Sequence, residues 1–490
     1  MRDYNILTVL LLSLTLVSLL LLSLNSSNSV SVSRAALSAA SGQVNDFGSN
    51  PISIPSDDWI RTYGSSAGEF GEAIIKTSDS GYIAAGNSNG DFYVVKMDAN
   101  GDVTCFTCWQ KIYGAANHEY LNSIVEVNDG YVLAGFTNNP LLEDILVIKI
   151  DKAGGILWQR TFGVSDRRDF GHRIAKTSDG GFVVLGGSAP SGSNGVTRLW
   201  LIKLDASGNK LWDKSYGNAR GVEDIETGNI EETNYGYIIG STTYVSKNKG
   251  ADFWVLKLDP NGNILKEVVV GKPRPAHEIL TDIHQTSDGG YITAGYTTDN
   301  SLNALTSGWA VKFDADLNVV WQKAYGITNT PTFSAYQSFQ NVREVLDGYV
   351  FAGTIHLPAS TTYDNEDDFW LVKTDFNGDT GHNVNYWQKT YGAAQNDELR
   401  YMSLTTDGFV MAGWTQRLPK LSSNYDMLLI KIKGPGSFPC LVKKTLGLQA
   451  IITNALTDIA SSNVLSNSIS GGPGPATQAN ANGVMADLCK

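Results

Sequence analysis

The sequence predicts an all-β fold: a seven-bladed β-propeller whose N-terminal strand closes the last blade, preceded by one N-terminal apolar helix. Three observations predict it. A Gly-bounded phrase built on Asp-Gly and an aromatic residue recurs seven times. An apolar strand with Lys near its end follows each copy. A Trp-led segment ending in Gly then supplies one more strand to most repeats. Units of four short strands at a period of about 50 residues cannot bury both faces alone, so they stack in a ring.

The elements follow in chain order. Residues 6–24 are almost purely Leu, Val, Ile, Ser and Thr, and Arg2 precedes them. A helix of that length spans a bilayer, and the segment reads equally as a cleaved signal peptide or a retained membrane anchor. Either reading exports the rest, giving an extracellular chain or a membrane-anchored chain facing outside. Asn25-Ser26-Ser27 is a glycosylation sequon just beyond the apolar run. The domain map is therefore 1–24 signal peptide or membrane anchor, 25–55 flexible stalk, 56–433 propeller and 434–490 C-terminal tail.

Within the propeller the Gly-bounded phrase occupies 79–86, 129–135, 179–186, 235–240, 288–295, 347–353 and 407–413. The distance between closing glycines widens from 49 residues (Gly86 to Gly135) to 60 (Gly353 to Gly413), because the loops lengthen. The lysines of the next strand are Lys96, Lys149, Lys203, Lys257, Lys312, Lys373 and Lys431. Their long stems suit packing between sheets, with the ammonium meeting a neighbouring carboxylate. Trp-led segments lie at 59–64, 109–114, 158–163, 212–217, 321–326 and 387–392, with a degenerate copy at 265–271. A further strand precedes each Asp-Gly turn. Named from that strand onward, each blade carries strands a, b, c and d. The first d-type segment, 59–64, comes before any a strand, so it is expected to pair with 427–433 and complete blade 7.

Composition agrees. Gly is abundant at 50 residues and aromatic residues make up 10 %, which fits many strands and tight turns. The net charge of −12 repels nucleic-acid phosphates, so no nucleic-acid partner is expected. The four cysteines, Cys105, Cys108, Cys440 and Cys489, are read as two disulfides with their pairing open. No metal spacing such as His-x-x-x-His and no phosphate loop is present, so no metal and no cofactor is expected. The Asp-x-Asn-Gly-Asp/Asn turns at 98–102, 259–263 and 375–379 look like pieces of a calcium loop, but they lack its distal Glu and read as hairpin turns. The tail segment 441–447 imitates strand d. It is expected to compete for the blade-7 edge or to self-associate with another subunit.

The spacing of Asp151, Gly154 and Trp158, repeated at Asp205, Gly208 and Trp212, resembles the blade motif of quinoprotein-like and WD-repeat-like propellers. The Asp-Gly-Gly-Tyr-x-x-Ala-Gly phrase resembles repeats of secreted prokaryotic propellers. The resemblance covers about residues 57–433 and implies the fold. The chain departs from the quinoprotein pattern in lacking a Thr before the Gly, and in having seven repeats where the quinone-binding enzymes have eight blades.

Function is expected on one face. The a–b and c–d turns share one side of the ring and are nearly uniform, whereas the d–a and b–c loops on the other side vary in length. Long irregular loops on a rigid scaffold are where binding resides. The candidate ligand-binding residues there are Arg198, Tyr244, His356, Tyr363, Asp364, Asp367, Trp414, Arg417 and Tyr425. Exposed aromatics among polar groups suit a cell-surface protein or a glycan. An acidic residue before most a strands (Glu69, Glu119, Asp169, Asp224, Glu278, Glu398) reads as structural because it recurs. No catalytic residue is expected under the leading reading, a non-catalytic extracytoplasmic binding or scaffold propeller. Two alternatives stand beside it. One is a glycan-active hydrolase or lyase using Asp364 and Asp367. The other is a structural subunit of a surface layer or filament.

Overall fold

The computed structural model describes residues 58–433, together with residues 453–454, apart from stretches at 65–67, 115–117, 139–142, 191–196, 218–227, 245–249, 273–275, 300–304, 327–335, 358–365, 381–385, 393–395 and 417–424. The expected N-terminal helix, stalk and sequon, and Cys440, Cys489 and 441–447, lie outside the described residues.

Seven antiparallel sheets form the ring. Blade 1 comprises Glu69–Lys76, Tyr82–Ser88, Asp91–Met97 and Trp109–Tyr113, in sheet order a-b-c-d. Blades 2 to 6 repeat that order. Blade 7 takes three strands from the end of the chain, Asp397–Thr405, Gly408–Gln416 and Tyr425–Lys433, and its fourth, Trp59–Tyr63, from the beginning. In this closure Trp59 stands opposite Lys431 and Tyr63 opposite Met427. Asp58 accepts the Lys433 amide at 2.5 Å, which extends the join by one residue. The edge of blade 7 is thus already paired with the strand that 441–447 was expected to displace.

Each b and c strand is buried on both faces, as expected of a sheet sandwiched between neighbours. Core clusters accordingly straddle blades. One joins Ile83 and Val94 of blade 1 to Leu133 and Ile148 of blade 2, and another joins Trp59 and Met427 of blade 7 to Tyr82 and Val95 of blade 1.

The recurring lysines find their carboxylates inside their own blades. Lys96 meets Asp79 at 2.8 Å, Lys149 meets Asp129 at 2.8 Å and Lys203 meets Asp179 at 2.8 Å. Lys312 with Asp288 (2.9 Å), Lys373 with Asp347 (2.9 Å) and Lys431 with Asp407 (2.8 Å) repeat the pair. The Asp of the a–b turn therefore locks strand c to the turn it follows. Burial pushes the pKa of Asp179 and Asp288 up. Hydrogen bonds from Lys203 and Thr177, or from Thr286 and Lys312, outweigh it and bring both down to about 2. Blade 4 has Tyr235 where the others have Asp. There the Lys257 ammonium lies 4.6 Å from the centre of the Tyr235 ring and donates to Ala315 O of blade 5.

A second recurring interaction joins one blade to the next. Trp59 Nε1 donates to Ala99 O, Trp109 Nε1 to Lys152 O and Trp321 Nε1 to Phe376 O, each at 3.0 Å. Four residues after each Trp, a Tyr hydroxyl donates to the Gly carbonyl of the same c–d turn. Tyr113 reaches Gly154 (2.8 Å), Tyr325 reaches Gly378 (2.8 Å) and Tyr63 reaches Gly101. The turn itself is held by its Asp. Asp205 Oδ1 accepts the Ser207 and Asn209 amides, both at 2.8 Å, closing the hairpin turn. Gly serves the turn in two ways. Gly262 has φ +75°, and a Cβ there would come within 3.0 Å of the Trp212 ring and the Tyr216 hydroxyl.

Blade 4 breaks this pattern coherently. The pairing of Lys257 with Lys266 puts Lys266, not Leu265, at the Trp position of the degenerate copy. The facing turn in blade 5 has Leu317 instead of Gly, at φ +58° and 2 % exposed, packed with Val268 and Val319. A buried leucine thus stands where the other turns leave room for an indole. We expect Lys266→Trp to overpack this seam and destabilise the fold by about 2 kcal/mol. Lys266→Trp with Leu317→Gly should recover most of that loss, and a double-mutant cycle of thermal unfolding measures the coupling. Purely additive effects would contradict the assignment.

Candidate functional site

The a strands form the inner wall, and each meets its neighbours around the axis. In every blade but the fourth, a β-bulge interrupts the pairing of a with b, leaving Glu72, Asn122, His172, Thr281, Gln340 and Arg400 out of register. Bulges re-aim side chains, here placing polar groups at the centre of the ring. Asp282, 1 % exposed, anchors that centre. It accepts Asn229 Nδ2 of blade 4 at 2.6 Å, and Arg343 Nη1 (2.6 Å) and the Val342 amide (3.0 Å) of blade 6. The guanidiniums of Arg343 and Arg173 lie 5.7 and 5.9 Å from the centre of the Tyr401 ring. One tyrosine from blade 7 thus bridges arginines of blades 6 and 3. Burial raises the pKa of Glu72, with Arg400 and Arg173 opposing, and burial brings His172 down to about 4.

Above this core, on the d–a/b–c side, the structure brings several predicted residues together in two adjoining groups. His356 and Asp367, on strands b and c of blade 6, are cross-strand partners joined at 2.8 Å between Nδ1 and Oδ1. Asn396, before strand a of blade 7, accepts the Asp367 amide at 3.3 Å. In blade 7 Glu398 pairs with Arg400 at 3.0 Å and stands opposite Trp414 in the a–b register. Trp414 and Tyr425 meet edge to face at 4.7 Å, and Phe70 of blade 1 completes the cluster at 6.1 and 5.2 Å from them. The result is an arc over blades 6, 7 and 1, with aromatics at one end and a His–Asp pair at the other. Burial pushes the Glu398 carboxyl up, with Arg400 opposing and Asp367 adding to the rise.

The other predicted residues fall elsewhere. Arg198, exposed, begins strand c of blade 3, and half-buried Tyr244 ends strand b of blade 4 against His277 at 6.4 Å. Neither joins the arc. Tyr363, Asp364 and Arg417 lie outside the described residues. The sequence reading missed Phe70, Arg400, Asn396 and the axial residues Asp282, Arg343 and Tyr401. Phe70 had a readable signal, since Phe70, Tyr120 and Phe170 recur one residue after the acidic position. Tyr120, Phe136 and Phe170 form a second aromatic group over blades 2 and 3, with centroids 5.1 and 5.4 Å apart.

The recurring acids are buried and structural in placement. Glu69, Glu119, Asp169 and Glu278 are all at most 3 % exposed. Asp169 accepts the Val164 amide of the preceding loop at 2.7 Å. Glu278 accepts Thr297 Oγ1 at 2.8 Å, and burial pushes it up to about 7. Register corrects one assignment: Asp397, not Glu398, holds this position in blade 7, and Gln337 holds it in blade 6. Asp224 lies outside the described residues. Cys105 and Cys108 are disulfide-bonded in the c–d hairpin of blade 1, compatible with an extracellular setting. On the opposite, a–b side a shallow depression of about 420 Å³ is lined by Glu231, His284 and Ser287. Its polar groups are spent on inter-blade bonds, His284 to Glu231 at 2.6 Å and the Ser287 amide to Glu344 at 2.7 Å.

No protein-family model and no curated protein matches the sequence. Among solved structures the chain is similar to an unknown-function protein from Dyadobacter fermentans, at 10 % identity over 76 % of this chain and 96 % of that one, TM-score 0.43. It is similar to the WD40 domain of SCAP from fission yeast at 9 % identity over 78 % and 99 %, TM-score 0.39. It is also similar to an ACO/RPE65 chimera at 12 % identity over 51 % of this chain, TM-score 0.34, and spans 60 % of that protein's length. These likenesses concern the propeller fold and carry no argument about function.

The hydrogen bond from Asp367 raises the His356 pKa above its ordinary 6.5, with burial opposing. The tie between strands b and c is therefore complete below about pH 6.5 and fades as pH rises through the higher folded-state value. An NMR titration of the His356 ring should give a midpoint above 6.5 that falls in Asp367→Asn. An unchanged midpoint in the variant would contradict the pairing.

Proposed function

We propose that this protein is a non-catalytic extracytoplasmic binding propeller, and that the arc over blades 6, 7 and 1 holds a glycan or a glycan-bearing surface protein. One observation carries the reading: the Phe70, Trp414 and Tyr425 rings gather beside the His356–Asp367 and Glu398–Arg400 pairs. Aromatic faces offer apolar surface to the C–H side of a sugar, while neighbouring charged groups fix its hydroxyls. Chain direction supports the orientation. Trp59 begins strand d at the c–d side, so the predicted stalk joins the ring opposite the arc. A retained leader would hold the arc away from the membrane.

A second reading, a glycan-active hydrolase, draws on Glu398. A half-buried carboxyl with a raised pKa near Asp367 is the combination that separates an acid from a base. Asp367 is already engaged by His356, which favours binding over turnover.

A glycan and surface-protein binding screen on the full chain tests the proposal. Trp414→Ala with Tyr425→Ala should weaken capture at least tenfold, while cooperative thermal unfolding persists. Undiminished capture would contradict the site. Product release abolished by Glu398→Gln, with capture retained, would favour the hydrolase.

A further inference from the structure

Strand d is the outer edge of every blade, and edges with unpaired amides and carbonyls invite pairing. Among the described residues six sheets end there with four strands. The sheet of blade 5 has a fifth: Thr453–Asn454 pairs antiparallel with strand d (Val319–Tyr325), Ala324 opposite Thr453 and Lys323 opposite Asn454. Burial on the described side agrees. Ala324 is 3 % exposed, whereas Ile112, at the equivalent register of blade 1, is 57 % exposed, and Thr161 and Ser215 in blades 2 and 3 are also exposed. The same edge carries apolar surface. The residue before the Trp position is apolar and 49–60 % exposed in blades 2 to 5 (Leu157, Leu211, Leu265 and Val320).

We propose that the C-terminal tail is a strap: Thr453–Asn454 docks on the outer edge of blade 5 of its own chain and caps the Lys323–Ala324 stretch of that edge. The sequence there, Ile451-Ile452-Thr453-Asn454-Ala455-Leu456, has the β-branched and apolar content an edge strand uses. The link from Lys433, residues 434–452, covers at most about 60 Å when extended at ~3.3 Å per residue, enough to pass blade 6. Tethering also favours the chain's own edge over a second copy, because the local concentration of a tethered segment is of millimolar order. The strap differs from the 441–447 exchange expected at blade 7 in both segment and blade.

The test uses the full chain carrying Ala324→Cys and Thr453→Cys. Oxidation should give a monomer whose peptide map links positions 324 and 453. Hydrogen exchange of Val319–Tyr325 should be at least tenfold slower than that of Lys210–Tyr216, and Asn454→Pro should abolish the difference. No 324–453 link, a link found only in covalent dimers, or equal exchange of the two strands would overturn the proposal.

Discussion

On blades 7, 1 and 5 an aromatic pair on the outer strand grips an Asp-led turn of the next blade, and the ring depends on that grip. The indole N–H and the phenol four residues later reach two carbonyls of one hairpin, as Trp109 and Tyr113 do at Lys152 and Gly154. Each bond is worth only about 1 kcal/mol net, but the rings also bury large apolar surfaces against the turn. The grip is the same at the seam where the chain ends meet. Trp59 and Tyr63 hold Ala99 and Gly101 while pairing with Tyr425–Lys433. Closure therefore needs no special device: the first strand repeats what the d strands of blades 1 and 5 do.

Uniformity at the rim leaves the axis and the loop face free to differ. The a–b turn is committed to its Lys–Asp lock in the six blades that carry the Asp, and the c–d turn of blades 1, 2 and 6 to the aromatic grip. The bulged a strands release side chains toward the centre, where Asp282, Arg343, Tyr401 and Arg173 connect blades 3 to 7. A buried charge network of this kind costs desolvation and gives back specific geometry. It forms a fixed floor beneath the arc of blades 6, 7 and 1, and rigid supports of this sort make loop residues usable for recognition.

The blade count and the closing strand were legible because their signals are local: Gly at tight turns, Trp opening strand d, Lys ending strand c. The cysteine hairpin was legible for the same reason. Register was not. Asp397 and Glu398 are adjacent acids, and Leu265 and Lys266 adjacent residues without a Trp to mark the position, so only strand pairing shows that Asp397 (opposite Thr415) and Lys266 (opposite Lys257) hold the recurring positions. Gln337 was invisible because an amide replaces the acid used to find its position. In the candidate site, His356, Asp367, Trp414 and Tyr425 were visible as polar and aromatic loop residues, but their division into two adjoining groups depends on strand pairing. The axial network draws on residues more than 200 positions apart, such as Arg173 and Tyr401, and no local pattern joins them.

The most direct measurement is thermal unfolding of the full chain carrying Trp59→Ser and Tyr63→Ser, followed by circular dichroism and limited proteolysis. If the aromatic grip closes the ring, the melting temperature falls by several degrees and cleavage begins between blades 7 and 1. Unchanged melting, or first cleavage far from that junction, would show that something other than this grip holds the circle together.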